Sequence, residues 1–272
     1  MKSLLHYLQY DKNTLNIHKK RKFLVKQMKM IRSLSKSDLE LLKQWKGFYV
    51  YVLNSLLRSD SIPPSFLSKI QSITHKKFSP KSIPFYQSYF QKIIQRIDHF
   101  FHIPSPSMTL FRGVTIPLSS SFDIKQWKKD LRYFKSGKRV QWSGYSSTTF
   151  IPSIARDYTI GRSYSKKSIH ILYVLHLHKK HRIPILFYPD IFQITRSPSN
   201  WNQWNKRPCT LSPIGNLCEI ILPRSITWKC KSIRKIKNFE PYLRKNVKNR
   251  SIYVVELESC EVYQRPPLFT FS

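Results

Sequence analysis

Around Pro104 and Pro106 the hydrophobic pattern of this chain changes period. Upstream, apolar residues recur every three or four positions. Leu39, Leu42, Trp45, Tyr49, Val52, Leu53 and Leu56 mark an amphipathic helix over roughly 38–58, stopped at Ile62-Pro63-Pro64. Ser37-Asp38-Leu39-Glu40 reads as its capping box, Ser37 accepting from the Glu40 backbone and Glu40 reaching back. Phe90, Ile93, Ile94, Ile97, Phe100 and Phe101 mark a second helix near 85–101. Downstream the pattern breaks into short β-type runs at 108–114, 140–150, 169–177, 183–188, 218–222, 226–230 and 252–257, divided by Pro, Ser, Asn and Lys clusters. Helices first and strands later is the order of an α+β fold, not of alternating βαβ units. No G-x-G-x-x-G or G-x-x-x-x-G-K-[ST] loop occurs, which excludes the common dinucleotide-binding and P-loop arrangements.

The chain has 272 residues, 41% of them hydrophobic, enough for one sizeable core. We read residues 1–36 as a basic N-terminal extension and 37–272 as one domain. Charge is the unusual quantity: 48 Lys and Arg stand against 14 Asp and Glu, a formal net charge of +34. Such a chain binds polyanions at low salt, so non-specific nucleic acid is an expected partner. No apolar run approaches the roughly 18 residues of a membrane span, and no signal peptide is read at the N-terminus. The expected place of action is therefore inside a cell, its own or a host into which it is delivered. Cys209, Cys218, Cys230 and Cys260 form no C-x-x-C pair, so neither a disulfide framework nor a structural zinc is expected. His176, His178 and His181 lack a Cys or acid close in sequence to complete a site, and no metal is expected.

Three islands carry chemistry. In Leu110-Phe111-Arg112-Gly113 a guanidinium stands at a strand end beside a turn, where it can fork onto a phosphate or ribose. In Tyr145-Ser146-Ser147-Thr148-Thr149-Phe150 four successive hydroxyls lie between aromatic residues, with Tyr145, Ser147 and Thr149 on one face of a strand. In Leu217-Cys218-Glu219-Ile220-Ile221-Leu222-Pro223 one carboxylate heads an apolar strand, and it needs a partner or a cation to face.

In this order the islands resemble the mono-ADP-ribosyltransferases of the arginine–serine–glutamate class, whose signature is an Arg in L-[FY]-R-G, an aromatic-x-Ser-Thr-Ser strand and a Glu heading E-[IV]-[IL]-[LF]-P. The segment from Leu42 to Tyr49, continuing to Asn54, Leu56, Leu57 and Arg58, is similar to that family's N-terminal helix, and Ala155 matches a small residue of its following helix. The resemblance covers about residues 37–258. It implies N-terminal helices and two small packed β-sheets around an NAD cleft, with NAD as substrate, no metal, and a protein or nucleic-acid acceptor. It implies that Arg112, with Gly113 beside it, holds the phosphate and nicotinamide-ribose part of NAD. Ser147 would bond the ribose region and place the glutamate, with Thr148 and Thr149 supporting that strand. Glu219 would bond the ribose 2′-hydroxyl and stabilise the oxocarbenium ion as nicotinamide leaves. Tyr158 or Phe150 would stack on nicotinamide.

The chain departs from the pattern twice. Thr149 stands where the family has its second serine, keeping the hydroxyl. Leu217 stands where arginine-modifying members carry Glu and others Gln, so the side chain that engages the acceptor is apolar here. Acceptor recognition would fall to Leu217 and to the preceding stretch with Trp201 and Trp204, whose rings among cations also suit base stacking. The alternatives are a basic nucleic-acid-binding or packaging protein on a degenerate transferase scaffold, and an NAD glycohydrolase. A literal E-x-E at Glu256-Leu257-Glu258 is set aside because the I-I-L-P context is missing.

Overall fold

The computed structural model describes residues 23, 26–27, 29–44, 53–54, 56–57, 83–117, 134–150, 152–160, 168–188, 219–239 and 250–267. Helix α1 (Lys36–Gln44) and helix α2 (Ile83–His99) come first. Then follow β1 (Met108–Pro117), β2 (Arg139–Trp142), β3 (Ser146–Thr149), helix α3 (Pro152–Ile160), β4 (Ser168–Leu177), β5 (Leu186–Tyr188), β6 (Glu219–Leu222), β7 (Ile226–Phe239) and β8 (Arg250–Ser259). This is the expected α+β order. Helical residues recur at 53, 54, 56 and 57, while Trp45, Tyr49 and Val52 lie outside the described residues.

The start of α1 corrects the capping assignment. Ser35, not Ser37, is the cap: its Oγ accepts from the Asp38 backbone at 3.1 Å and its carbonyl from Leu39 at 3.0 Å. Ser35 Oγ also donates to Asp38 Oδ2 at 2.7 Å, and Asp38 pairs with Arg96 of α2. A Ser-x-x-Asp pair two residues upstream therefore outcompetes Ser-x-x-Glu, because its acid also holds the neighbouring helix.

The strands form one hydrogen-bonded order, β2-β7-β8-β4-β1-β3-β6-β5. The two expected sheets are two sections of it. Five strands end at β1 and three begin at β3, and among the described residues the register between the sections is Phe111↔Thr149 alone. All neighbours are antiparallel except β4 and β8. β4 has both faces covered, as its near-continuous apolar run SIHILYVLHL requires. One side of the five-strand section, with Leu110, Ile171, Leu175 and Val255, joins Leu42, Leu53, Leu56, Ile94 and the three-strand section in the main core. The other side, with Phe111, Leu172, Val174 and Val254, packs on Ala155 of α3.

Some runs were drawn wrongly from the sequence. The run 108–114 continues to Pro117, because the residues after Gly113 still pair with β4, so Arg112 and Gly113 stand inside β1 and not at a strand end beside a turn. The single run 140–150 is two strands, because Ser143 to Tyr145 carry the chain from the edge of one section into the other. The run 226–230 continues to Phe239, because the alternating cations after Cys230 still pair with β8.

Gly113 is where α3 reaches the sheet. A Cβ there would lie 1.8 Å from the Ala155 carbonyl oxygen and 2.8 Å from the Thr159 nitrogen, both backbone atoms. Thr115 Oγ1 and His170 Nδ1 both donate to the Thr159 carbonyl, fixing the helix at that distance. Gly113→Ala is therefore expected to push α3 outward and to destabilise the fold by about 2–3 kcal/mol, at the upper end of overpacking costs. A lowered urea midpoint checks this; an unchanged midpoint would mean that α3 yields freely.

A buried charge network ties α2 to the three-strand section. Arg224, in the turn after β6, donates to Asp98 Oδ2 through Nε at 3.0 Å and Nη2 at 2.8 Å, and to the Pro267 carbonyl at 2.8 Å. Tyr145, at the mouth of β3, donates its hydroxyl to Asp98 Oδ1 at 2.7 Å and stacks on Phe101. Burial, and then the Asp98 charge, push the Tyr145 phenol well above its ordinary pKa, so it stays a donor. Asn54 Nδ2 donates to the Tyr145 carbonyl at 3.0 Å.

Candidate active site

The candidate residues sit where the two sections meet. Phe111 of β1 is registered with Thr149 of β3, and Thr149 with Glu219 of β6. Ser147 is registered with Ile221. Registered antiparallel partners share a face, so Ser147, Thr149 and Glu219 stand on one side of the β3–β6 pair. Ser147 and Glu219 are diagonal neighbours there, a relation that spans roughly 7–8 Å. Both are half-buried, whereas Thr148 and Thr149 are buried.

Arg112 bridges the junction. Next to the Phe111↔Thr149 register, its Nη1 donates to the Ser147 carbonyl at 2.7 Å. Arg112 is half-buried, and this bond joins the first and second islands alongside the Phe111↔Thr149 pairing. Thr148 Oγ1 donates to the Ile220 carbonyl at 2.8 Å, clamping β3 to β6. The four hydroxyls thus divide their work. Thr148 secures the strand pair, and Ser147 remains on the partly open face beside Glu219.

Tyr158 is half-buried on α3, the helix that Gly113 admits. Phe150 is half-buried and tilted against Phe187 of β5, with ring centroids 6.2 Å apart. Leu217, Trp201 and Trp204 lie outside the described residues.

One neighbour of Arg112 was missed in the sequence. Tyr173 of β4 is its registered partner. On that face of β4, Ile171 and Leu175 are fully buried, but Tyr173 is only half-buried, so solvent reaches this face beside Arg112. Trp142 meets Tyr173 edge-on at 5.4 Å, and Phe134 lies 6.1 Å from it. The signal was present: Tyr173 is the one benzenoid ring in an otherwise aliphatic and histidine-bearing strand.

Glu256 and Glu258 are elsewhere. They lie on β8, with β4 and β1 between them and β3. Glu256 receives Ser232 Oγ at 2.9 Å and His176 Nε2 at 3.3 Å. Burial keeps the His176 pKa below its ordinary value, against the pull of Glu256. Glu258 pairs with His178 and Lys231, both at 3.5 Å. His181 Nδ1 is 2.8 Å from Ser259 Oγ. The His178 and His181 rings meet edge-on at 5.6 Å, and among the described residues no group of three or more His, Cys, Asp or Glu is placed to hold a metal ion. No helix among the described residues is long and apolar enough to cross a membrane.

No family model matches the chain, and no curated protein matches it. Among solved structures it is similar to the Vis toxin, an ADP-ribosyltransferase from Vibrio splendidus, at 9% identity and a TM-score of 0.47 over 87% of this chain and 84% of that one. It is similar to the C3larvin toxin, an ADP-ribosyltransferase from Paenibacillus larvae, at 15% identity and a TM-score of 0.48 over 86% of this chain and 92% of that one. It is similar in the same degree to Plx2a, an ADP-ribosyltransferase toxin from the same organism, at 15% identity and a TM-score of 0.48 over 90% of this chain and 96% of that one.

Proposed function

We propose that this chain is an NAD-dependent mono-ADP-ribosyltransferase that cleaves the nicotinamide–ribose bond and passes ADP-ribose to a macromolecular acceptor. The observation that carries the reading is the junction itself. Arg112 Nη1 donates to the Ser147 carbonyl at 2.7 Å, and Ser147 shares a face with Glu219. A cation, a hydroxyl and a carboxylate thus lie on adjoining strands at this junction, residue types that suit a substrate carrying phosphate, ribose hydroxyls and a developing positive charge.

The roles follow from the chemistry of each group. Arg112 offers a planar fork to a phosphate or ribose oxygen. Ser147 donates to, or accepts from, a ribose hydroxyl. Glu219 accepts from the ribose 2′-hydroxyl and faces the oxocarbenium ion formed as the C–N bond breaks. A preorganised charge of this kind contributes about 3–4 kcal/mol to the transition state. The hydroxyl of Thr148 acts indirectly, by holding β3 to β6. Leu217 can neither accept nor donate a proton, which favours a second reading in which water takes the acceptor's place and free ADP-ribose is released.

Incubation with NAD labelled in the adenylate part, alone and with cell extract, tests the reading. Label on macromolecules supports transfer, label in free ADP-ribose supports hydrolysis, and intact NAD in both arms refutes an NAD-cleaving site. Arg112→Lys is expected to raise KM for NAD or lower kcat by roughly tenfold although the charge is kept, since a point charge does not replace the fork. Kinetics unchanged from the parent protein would remove Arg112 from the site.

A further inference from the structure

The cations of the sheet are gathered at one edge. β3, β4, β5 and β6 contain no Lys or Arg, β1 contains only Arg112, and β8 only Arg250. β2 contributes Arg139, and β7 contributes Lys229, Lys231, Arg234, Lys235 and Lys237. The turn before β2 adds Lys135 and Lys138 and is locked to β7. The Gly137 nitrogen donates to the Cys230 carbonyl at 2.8 Å, Cys230 returns a bond to Lys138 at 2.8 Å, and Ser136 Oγ donates to the Lys231 carbonyl at 3.0 Å. Gly137 has the positive φ, 85°, that this tight turn needs.

Register sorts the cations by face. Arg139 is opposite Lys229, Lys229 is opposite Glu258, and Ser232 is opposite Glu256, with Arg234 two residues further on the same side. Lys135, Lys138, Arg139, Lys229 and Lys231 are exposed. Among the described residues the acids within reach are Glu256, Glu258 and Glu261, and each meets a cation of this group: Arg234 at 3.8 Å, Lys231 at 3.5 Å and Arg139 at 2.6 Å. Three carboxylates leave a positive excess on this edge. Arg112 is registered with Tyr173, Tyr173 with Val255 and Val255 with Ile233, which is the opposite face of the sheet.

We propose that this face of β2 and β7 is a docking surface for the phosphate backbone of nucleic acid, bound without sequence preference and away from the candidate active site. Exposed cations on a rigid strand pair and a locked turn are the pattern that neutralises successive phosphates. The exposed large apolar side chains among the described residues are Phe85, Tyr89 and Val262, and of these only Val262, next to Glu261, is near this edge. A single valine at the margin is too little to anchor the patch in a lipid layer, and it is not the aromatic anchor that centres a protein–protein interface.

The test is a titration of the full chain with a labelled 30-base-pair DNA duplex of arbitrary sequence, between about 50 and 200 mM salt. It compares two triple variants of equal charge change: Lys135→Gln/Lys229→Gln/Lys231→Gln on the patch, and Lys29→Gln/Lys36→Gln/Lys92→Gln on the exposed side of the helical part, away from it. Circular dichroism checks that both fold. The patch variant is expected to lose affinity by at least tenfold at 100 mM salt and to flatten the log–log salt slope by roughly 2–3, at about 0.9 per phosphate contact. The remote variant is expected to stay within about threefold of the parent. The proposal is overturned if the two variants lose equally, if the patch variant keeps the parental slope, if the parent fails to bind at 50 mM salt, or if vesicles with anionic lipid bind the parent while the duplex does not.

Discussion

Glu219→Gln is expected to keep NAD binding and to lose nicotinamide release by at least about 100-fold, the effect of removing one preorganised charge from the transition state. The amide has the shape of the acid and leaves the β3–β6 ladder intact, because the Thr149↔Glu219 pairing uses only backbone. What is lost is the negative charge that opposes the forming cation. Calorimetric titration with NAD and chromatographic measurement of nicotinamide separate the two effects. The double change Glu256→Gln/Glu258→Gln is expected to leave turnover within about twofold, since both carboxylates are spent on His176, His178, Ser232 and Lys231 at a distance of three strands from β3. The opposite outcome, loss in the double variant and none in Glu219→Gln, would move the catalytic strand to β8.

Asp98→Ala is expected to destabilise the protein by about 3–5 kcal/mol, because it leaves the Arg224 charge buried with only the Pro267 carbonyl as a described acceptor. It also takes the Asp98 acceptor from the Tyr145 hydroxyl. Asp98→Leu combined with Arg224→Met removes the charge pair together and is expected to recover most of the loss, since paired apolar replacements of buried ion pairs are often near neutral. Urea midpoints of the three variants give the comparison. A double variant no more stable than Asp98→Ala alone would show that the pair is not coupled. The network reaches the site through its two arms: Tyr145 stands two residues before Ser147, and Arg224 five residues after Glu219.

The parts of this arrangement that were legible in the sequence are those with a local signature. Period 3.6 before Pro104 and period 2 after it give the α+β order, and Arg112, Ser147 and Glu219 stand out because cation, hydroxyls and carboxylate each interrupt or head an apolar run. Asp98 was not legible as a structural acid. It sits on the apolar side of α2 beside Ile94 and Ile97, and its partner Arg224 is over a hundred residues away. The reach of β7 was hidden for a related reason. KSIRKIKNF has the alternation of a strand, but its charge density reads as a solvated loop until β8 is placed beside it. The cap at Ser35 was lost to a better-known motif two residues later, since only the contact of Asp38 with Arg96 decides between them. Tyr173 needed the register with Arg112 to acquire any meaning.

The position of β8 bears on how the chain is made. It comes after every other strand in the sequence, yet it is inserted between β7 and β4, parallel to one and antiparallel to the other. Until residues 250–259 leave the ribosome, β4 has an open edge and the β2–β7 pair has no sheet to join. A nascent chain therefore holds the long apolar strand β4 incomplete through the synthesis of more than seventy further residues, in need of shielding from other chains. The β2–β7 pair and the β4–β1 pair become one sheet only when β8 pairs with both.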